Sequence, residues 1–184
     1  MINNNVPMNC GIATLSFTVM GETVGQGRPR FSNRGGVTRA YEPKKSAEEK
    51  AVVRLVAQQA MEEQGWNLPS PEMPIMVEIV SYRKVPKSKQ RWYAEAARLG
   101  LVVPLNKSDL DNCEKLYLDA MNGIVYPDDK QIFELRAVKL YSDQPRTEVK
   151  VTGYYQNYGD IRTIANATAK NRREREKKEA DNNG

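Results

Sequence analysis

The stretch that decides the fold and its chemistry is "KSDLDNCEKLYLDAMNG", residues 107–123. It contains an Asp-x-Asp pair, Asp109 and Asp111, then Lys115 and then Asp119, each four residues after the acid or base before it. The apolar positions between them recur at helical spacing, and the Asn-Gly pair that closes the stretch is typical of a helix end. The pattern therefore predicts a helix that begins at the first two aspartates and carries its charges along one face.

Two interpretations of this face are open. Asp111, Lys115 and Asp119 lie at i, i+4 and i+8, so they could form an ordinary ladder of surface salt bridges. One aspartate at the helix entry could likewise serve only as a cap. The alternative is a metal-dependent site that cleaves phosphodiester bonds, because two acids separated by one residue exceed what capping needs.

A second acidic pair, Asp128 and Asp129, follows the predicted helix after a tight turn. Such a turn can return the chain toward the helix entry, so that this pair faces Asp109 and Asp111. Three converging carboxylates form the oxygen-rich pocket that Mg²⁺ or Mn²⁺ prefers, with waters completing the coordination. A metal held there polarises a phosphate and activates water, and Lys115 nearby would offset negative charge that develops on the phosphate.

The composition narrows the possible chemistry. The chain has 184 residues and no histidine, which excludes Ser-His-Asp and Cys-His nucleophiles, histidine-ligated zinc and nucleases with a histidine base. Cys10 and Cys113 are far apart and belong to no Cys-x-x-Cys motif, so neither a disulfide framework nor a zinc site is expected. The sequence shows no export signal and no stretch near the roughly 20 apolar residues of a membrane span. We expect a soluble protein in a reducing, cytoplasmic setting.

The positive charge is concentrated in two segments. The net charge is +5, and cations cluster in "GQGRPRFSNRGGVTRAYEPKK", residues 25–45, and in "AKNRREREKKE", residues 169–179. This distribution suits a polyanion such as nucleic acid. We interpret the first segment as a flexible loop that grips phosphates, because arginine forms bidentate contacts and glycine allows close backbone approach. The candidate DNA-binding residues are Arg28, Arg30, Arg34, Arg39 and Lys107.

The remaining pattern predicts a mixed α/β (α+β) fold, a single two-layer domain whose mixed sheet is flanked by helices. Strands are predicted over 12–20, 75–85 and 147–156, with another strand after Asp129. Helices are predicted from Ser46 to near residue 65, with Ser46 and Glu49 as a capping box, from Ser88 to Leu99, and over 111–121. We expect an N-terminal extension over 1–11, one domain over 12–158 and a charged tail over 159–184, either helical or disordered.

These residues resemble the RusA-type Holliday junction resolvases of bacteria and their phages. The resemblance rests on Asp109-Leu110-Asp111-Asn112, Lys115, Asp119-Ala120-Met121, and Asp128-Asp129 with Gln131-Ile132. Upstream, "GETVGQGRPRF", residues 21–31, is similar to the Gly-Arg-Pro-Arg loop of the phage branch, although Gln26 stands where a lysine is common. Together these segments cover most of residues 14–152, and the combined pattern is specific where a lone Asp-x-Asp is weak.

The resemblance implies a homodimeric, Mg²⁺-dependent endodeoxyribonuclease of recombination and repair, with Mn²⁺ as a substitute, that nicks two opposing strands of a four-way DNA junction. It implies no nucleotide cofactor, no membrane partner and a place at the nucleoid in the bacterial cytoplasm. The implied metal ligands are Asp109, Asp111 and Asp129, with Asp128 secondary, and the implied catalytic residues are Asp109, Asp111, Asp129 and Lys115. Two alternatives remain: a non-catalytic DNA-binding protein, and a metal-dependent nuclease that acts on flaps, single strands or other branched DNA.

Overall fold

The computed structural model describes residues 12–28, 30–34, 37–105, 109–156 and 158–182. In chain order its elements are β1 (Ile12–Met20), β2 (Arg30–Arg34), β3 (Val37–Tyr41), α1 (Lys44–Gln64), β4 (Ile75–Arg83), α2 (Arg91–Arg98), α3 (Leu110–Met121), a 3-10 turn (Asp129–Gln131), β5 (Ile132–Tyr141), β6 (Arg146–Tyr154) and α4 (Tyr158–Asn182). The chain divides into two compact units, residues 13–153 and residues 1–12 together with 154–184.

A four-stranded mixed sheet organises the larger unit, with strand order β1-β6-β4-β5. Strand β4 pairs in parallel with β5 and antiparallel with β6, so that Val77 lies beside Leu135 on one side and Val151 on the other. Every second residue of β4 is buried, the alternation expected of a sheet with one face in the core. The predicted mixed α+β fold is confirmed.

The core lies between the buried face of this sheet and the two helices α1 and α3. Strands β1, β4 and β6 and both helices contribute to one hydrophobic cluster. Its largest fully buried apolar members are Leu15, Ile75, Ile79, Leu116, Tyr117, Met121 and Tyr126. Because α3 inserts four buried side chains from its last two turns, its position against the sheet is set by the core, and its first turn is carried to the surface.

The arginine-rich segment is not the continuous loop that its glycines predicted. Residues Arg30–Arg34 and Val37–Tyr41 pair antiparallel as a separate two-stranded hairpin. Phenylalanine, valine, threonine and tyrosine at these positions favour strand pairing, and this preference outweighed the glycine and arginine content on which the prediction rested.

Two predicted helix caps are also wrong. Helix α1 begins at Lys44 with Pro43 in the cap position, and the Ser46 hydroxyl instead accepts a hydrogen bond from the Gly27 amide at 2.9 Å. Helix α2 begins at Arg91 with Gln90 in the cap position, so Ser88 does not cap it. The Ser46 hydroxyl, which the local pattern predicted as a helix cap, thus forms a tertiary hydrogen bond instead.

Helix α4 belongs to the smaller unit and is polar on all sides. Its described side chains are exposed, apart from the partly buried Ile161. An ion pair between Arg172 and Glu176 at 2.9 Å joins successive turns. Over the described part of the chain, no helix combines the length and the apolar content that crossing a membrane requires.

Candidate active site

Two aspartate carboxylates at the entry of α3 are exposed and form no ion pair with another described residue. Asp109 occupies the cap position, yet its side chain accepts no capping hydrogen bond from the backbone, and the hydrogen bond that it accepts from the Asn112 side-chain amide is long, at 3.5 Å. Asp111 follows in the first turn, and both side chains are exposed. The positive end of the helix dipole favours negatively charged carboxylates there. The sequence prediction that both aspartates lie at a helix entry is confirmed.

The salt-bridge ladder is not formed among the described residues. Asp119 accepts hydrogen bonds from Lys50 at 3.0 Å and from Gln26 at 2.9 Å. Lys50 also pairs with Glu42 at 2.8 Å. Lys115 is exposed and has no described acidic partner, so its ammonium remains available to a ligand.

Hydrogen bonds hold the segment before the hairpin, residues 21–28, against α3. The Gln26 amide donates to the Asn112 carbonyl at 2.8 Å, while the Gln26 side chain reaches Asp119 further along the same helix. The Thr23 hydroxyl is buried and pairs with Ser81 at 2.8 Å and with Thr147. Gln26, inside the segment interpreted as a flexible loop, and Thr23, just before it, are therefore anchored to the scaffold that carries Asp109 and Asp111.

Arg83, at the end of β4, is the buried link between this segment and α3. Its guanidinium donates to the Thr23 carbonyl and, at 2.8 Å, to the Cys113 thiol in the second turn of α3, and the residue is 1% exposed. Glu49 lies nearby: burial raises the pKa of its carboxyl, and the Val24 amide and the charge of Arg83 partly oppose that rise. These two contacts, made by the terminal nitrogens of the guanidinium, tie three chain segments together below the helix entry, while Arg83 Nε is buried without a hydrogen-bond partner among the described residues.

A surface cleft of about 690 Å³ opens beside Asp109. It is lined by residues 22–26 and by Lys45, Arg83, Leu105, Asp109 and Asn112. The lining combines two cations with carboxylate and amide oxygens. Such a cleft can receive a phosphate next to an acidic metal ligand without any histidine.

The second acidic pair is split between two roles. The Asp128 carboxylate caps the 3-10 turn, accepting from the Lys130 amide at 3.0 Å and pairing with the Lys130 ammonium at 3.1 Å, and these contacts lower its pKa. Asp129 is exposed. The pKa of the Tyr126 phenol is raised mainly by burial, and the negative charges of Asp129 and Asp119 raise it further. Tyr126 itself donates to the Leu118 carbonyl of α3 at 3.1 Å.

Within the described ranges, no group of three or more acidic or cysteine side chains is positioned to hold a metal ion. The structure places Asp109 and Asp111 at the helix entry and, among the described residues, does not group Asp129 with them. Two exposed carboxylates still suit Mg²⁺, which commonly binds through one or two carboxylates, waters and substrate phosphates. The donor chemistry therefore fits the ion, and the assignment of Asp129 stays a prediction.

The candidate DNA-binding residues are close in sequence to residues that line this cleft. Arg28 is exposed just before the hairpin. Arg30 and Arg34 lie in β2 and Arg39 in β3, where the backbone alone is described. Lys107 lies outside the described residues.

Several residues at the site escaped the sequence analysis. Glu114 lies beside Asp111, and burial together with that charge raises the pKa of its carboxyl; its i+3 spacing could have indicated it. Arg83 had no local signal, because it reaches the cleft from a distant part of the chain. Lys45 lay in the basic segment 25–45 and Glu49 in the predicted capping box, and the sequence assigned neither to the site.

Comparison with known proteins identifies the family. The family model described as "Endodeoxyribonuclease RusA" matches residues 21–152, a range that contains the cleft and the hairpin. The chain is also 40% identical, over 143 residues, to an uncharacterized protein of Bacillus subtilis (strain 168) named YqaN, an alignment that covers 74% of this chain and 94% of the relative. The uncommitted Asp-x-Asp pair at the entry of α3 thus lies inside a match that spans most of the chain, and the protein belongs to the RusA endodeoxyribonuclease family.

Proposed function

We propose that this chain is a Mg²⁺-dependent, structure-selective endonuclease that resolves four-way DNA junctions by paired nicks in opposing strands. The observation that carries the proposal is the entry of α3, where Asp109, Asp111 and Lys115 are exposed and form no ion pair with another described residue. In a family of Holliday junction endodeoxyribonucleases, exposed and unpaired charges beside a cleft are the groups available for chemistry.

Each residue has a proposed role at the scissile phosphate. Asp109 and Asp111 would hold the ion, which would supply Lewis-acid polarisation of the phosphate and a lowered pKa for bound water. Lys115, one turn after Asp111, places a compact positive charge where negative charge grows on the phosphate oxygens. Lys45 and Arg83 make the cleft more favourable for an anionic substrate, and Arg28 contacts the DNA backbone outside it.

Asp129 is the proposed additional ligand in preference to Asp128. Asp128 already caps a turn and pairs with Lys130, so binding a metal would cost those contacts. Asp129 is exposed and forms no ion pair with another described residue, although its side chain contacts the Asp128 carboxyl. Mn²⁺ should substitute for Mg²⁺ because both accept carboxylate and water oxygens in octahedral geometry.

Two symmetric nicks require two copies of one active site, so we propose that the working enzyme is a homodimer. The decisive experiment incubates the purified full chain with a labelled mobile four-way junction in Mg²⁺, in Mn²⁺ or in EDTA. Paired symmetric nicks that need the metal are expected. Binding without cleavage would favour a non-catalytic DNA-binding protein, and preferential cutting of flaps or single strands would favour the other rival. Sedimentation of a fully active monomer would contradict the dimer.

A further inference from the structure

The hairpin β2–β3 exposes an aromatic side chain in an arginine-rich part of the chain. Phe31 is 71% exposed and pairs across the hairpin with Ala40. Arginines precede it at positions 28 and 30 and follow it at 34. A single exposed apolar side chain is common on protein surfaces. An aromatic ring among arginines, however, is the combination by which proteins contact nucleic acid, since the cations bind phosphates and the ring stacks on a base.

The base of the hairpin is fixed although its strands lie outside the main sheet. The Gly27 amide donates to Ser46 in the first turn of α1, and a Cβ atom on Gly27 would lie 2.7 Å from Pro43 Cγ. The chain segments that lead into and out of the hairpin therefore meet at the start of α1, in a contact that only glycine permits. This base also adjoins residues 22–26, which line the cleft beside Asp109.

We propose that Phe31 stacks on a base at the branch point of the DNA and thereby favours branched over linear DNA. This inference rests on the proposed function and adds the residue that reads the shape of the substrate. In a continuous duplex every base is stacked on both faces, so inserting a ring costs unstacking. At a branch point the bases open more readily, which makes the same contact favourable.

The test measures affinity for a four-way junction and for a linear duplex of the same sequence, in EDTA, with the full chain. Phe31→Ala should lose roughly 5- to 100-fold in junction affinity, the range of one aromatic–base stack, while duplex affinity changes less than twofold. Phe31→Tyr and Phe31→Trp should retain the preference because they keep a stacking ring. Leu55→Ala is the matched control, since Leu55 is 67% exposed on α1, and it should change neither affinity.

A second readout places the contact. A junction with 2-aminopurine at the branch point should change fluorescence on binding wild type, Phe31→Tyr and Leu55→Ala, but not on binding Phe31→Ala. An unchanged junction-to-duplex ratio in Phe31→Ala, equal losses on both DNAs, or a wild type with no preference would each overturn the inference. So would dissociation of a dimer by Phe31→Ala, which would make Phe31 a contact between copies. If wild type cleaves junctions in Mg²⁺ while the ratio is unaltered, this inference fails and the proposed function stands.

Discussion

Helix α3 carries aspartates near both ends, and the two ends differ in what the carboxylates contact. Near the carboxyl end, Asp119 accepts hydrogen bonds from Lys50 and Gln26. At the amino end, Asp109 and Asp111 are exposed, and neither forms an ion pair with a described residue. The same residue type on one helix is therefore a structural tie at one end and an available ligand at the other.

The lysines repeat this contrast. Lys50 lies between Glu42 and Asp119, whereas Lys115 faces solvent without such partners in the described part of the chain. Exposed ion pairs contribute little to stability, so leaving Lys115 unpaired costs the fold almost nothing. Charges that the fold does not need are the ones that substrate chemistry can use, and substitutions at each end should separate the two roles.

The largest effect is expected at the amino end. Asp109→Asn and Asp111→Asn should each reduce junction cleavage by about 10³-fold or more, because each removes a charge that is proposed to bind the metal. Junction affinity in EDTA should be unchanged or higher, since an acid that repels phosphates is gone. Single-turnover cleavage and a gel-shift titration measure the two quantities. Normal cleavage by both variants at saturating Mg²⁺ would remove the metal assignment.

Lys115→Met should reduce the cleavage rate by about 10²–10³-fold, or roughly 3–4 kcal/mol of transition-state stabilisation, while leaving the melting temperature unaltered. Lys115→Arg should not restore activity, because a planar guanidinium does not reproduce a compact ammonium. Lys50→Met is the matched control: it should lower the melting temperature and spare cleavage. A folded Lys115→Met enzyme within threefold of the wild-type rate would assign this lysine to the surface.

Arg83 is expected to hold the amino end in place. In Arg83→Met the Thr23 carbonyl and the Cys113 thiol lose their shared donor. The amides of Val24 and Gln26 should then exchange with solvent about tenfold faster, as expected for the loss of about 1.4 kcal/mol of local stabilisation. Hydrogen exchange followed by mass spectrometry or NMR measures this. Arg146→Met, the same change at an arginine paired with Glu148 and Ser142, should leave those amides unaffected; equal acceleration in both variants would refute the anchoring role.

The smallest effect is expected at the carboxyl end. Asp119→Asn should lower the free energy of unfolding by about 1 kcal/mol at pH 7 and leave cleavage within threefold of wild type. Burial lowers the pKa of Lys50, but hydrogen bonds to Glu42 and Asp119 outweigh it, and the pKa lies above its ordinary value. The pair's contribution is therefore complete below the ordinary lysine pKa and is lost as the pH rises through the raised one.

Urea unfolding of wild type and Asp119→Asn across neutral and alkaline pH measures this prediction. The difference in unfolding free energy should persist at pH 7 and shrink in strongly alkaline solution. A loss of cleavage comparable to that of Asp109→Asn would instead place Asp119 in the active site and abolish the contrast between the two ends.

Local patterns in the sequence determined most of the helices and strands, and they placed Asp109 and Asp111 at the entry of a helix. Alternation along β4 and helical spacing along α3 reflect which face of each element is buried, and burial acts on side chains a few residues apart. The position of Asp109 and Asp111 at a helix entry follows from the same short-range pattern. The resemblance in the acidic motif then pointed to the family that the comparisons confirm.

Only the tertiary structure decided which charged side chains form hydrogen bonds or ion pairs within the protein. Asp119 and Lys115 look alike as members of an i, i+4 series, yet the partner of Asp119 is Lys50, 69 residues away. In the sequence Arg83 is an ordinary charged residue near the end of a predicted strand. In the structure it is buried and donates hydrogen bonds to residues 60 and 30 positions away along the chain. Ser46 has a capping pattern, but Gly27 takes its hydroxyl. Hydrogen bonds and ion pairs depend on distance in space and not along the chain, so folding alone selects their partners.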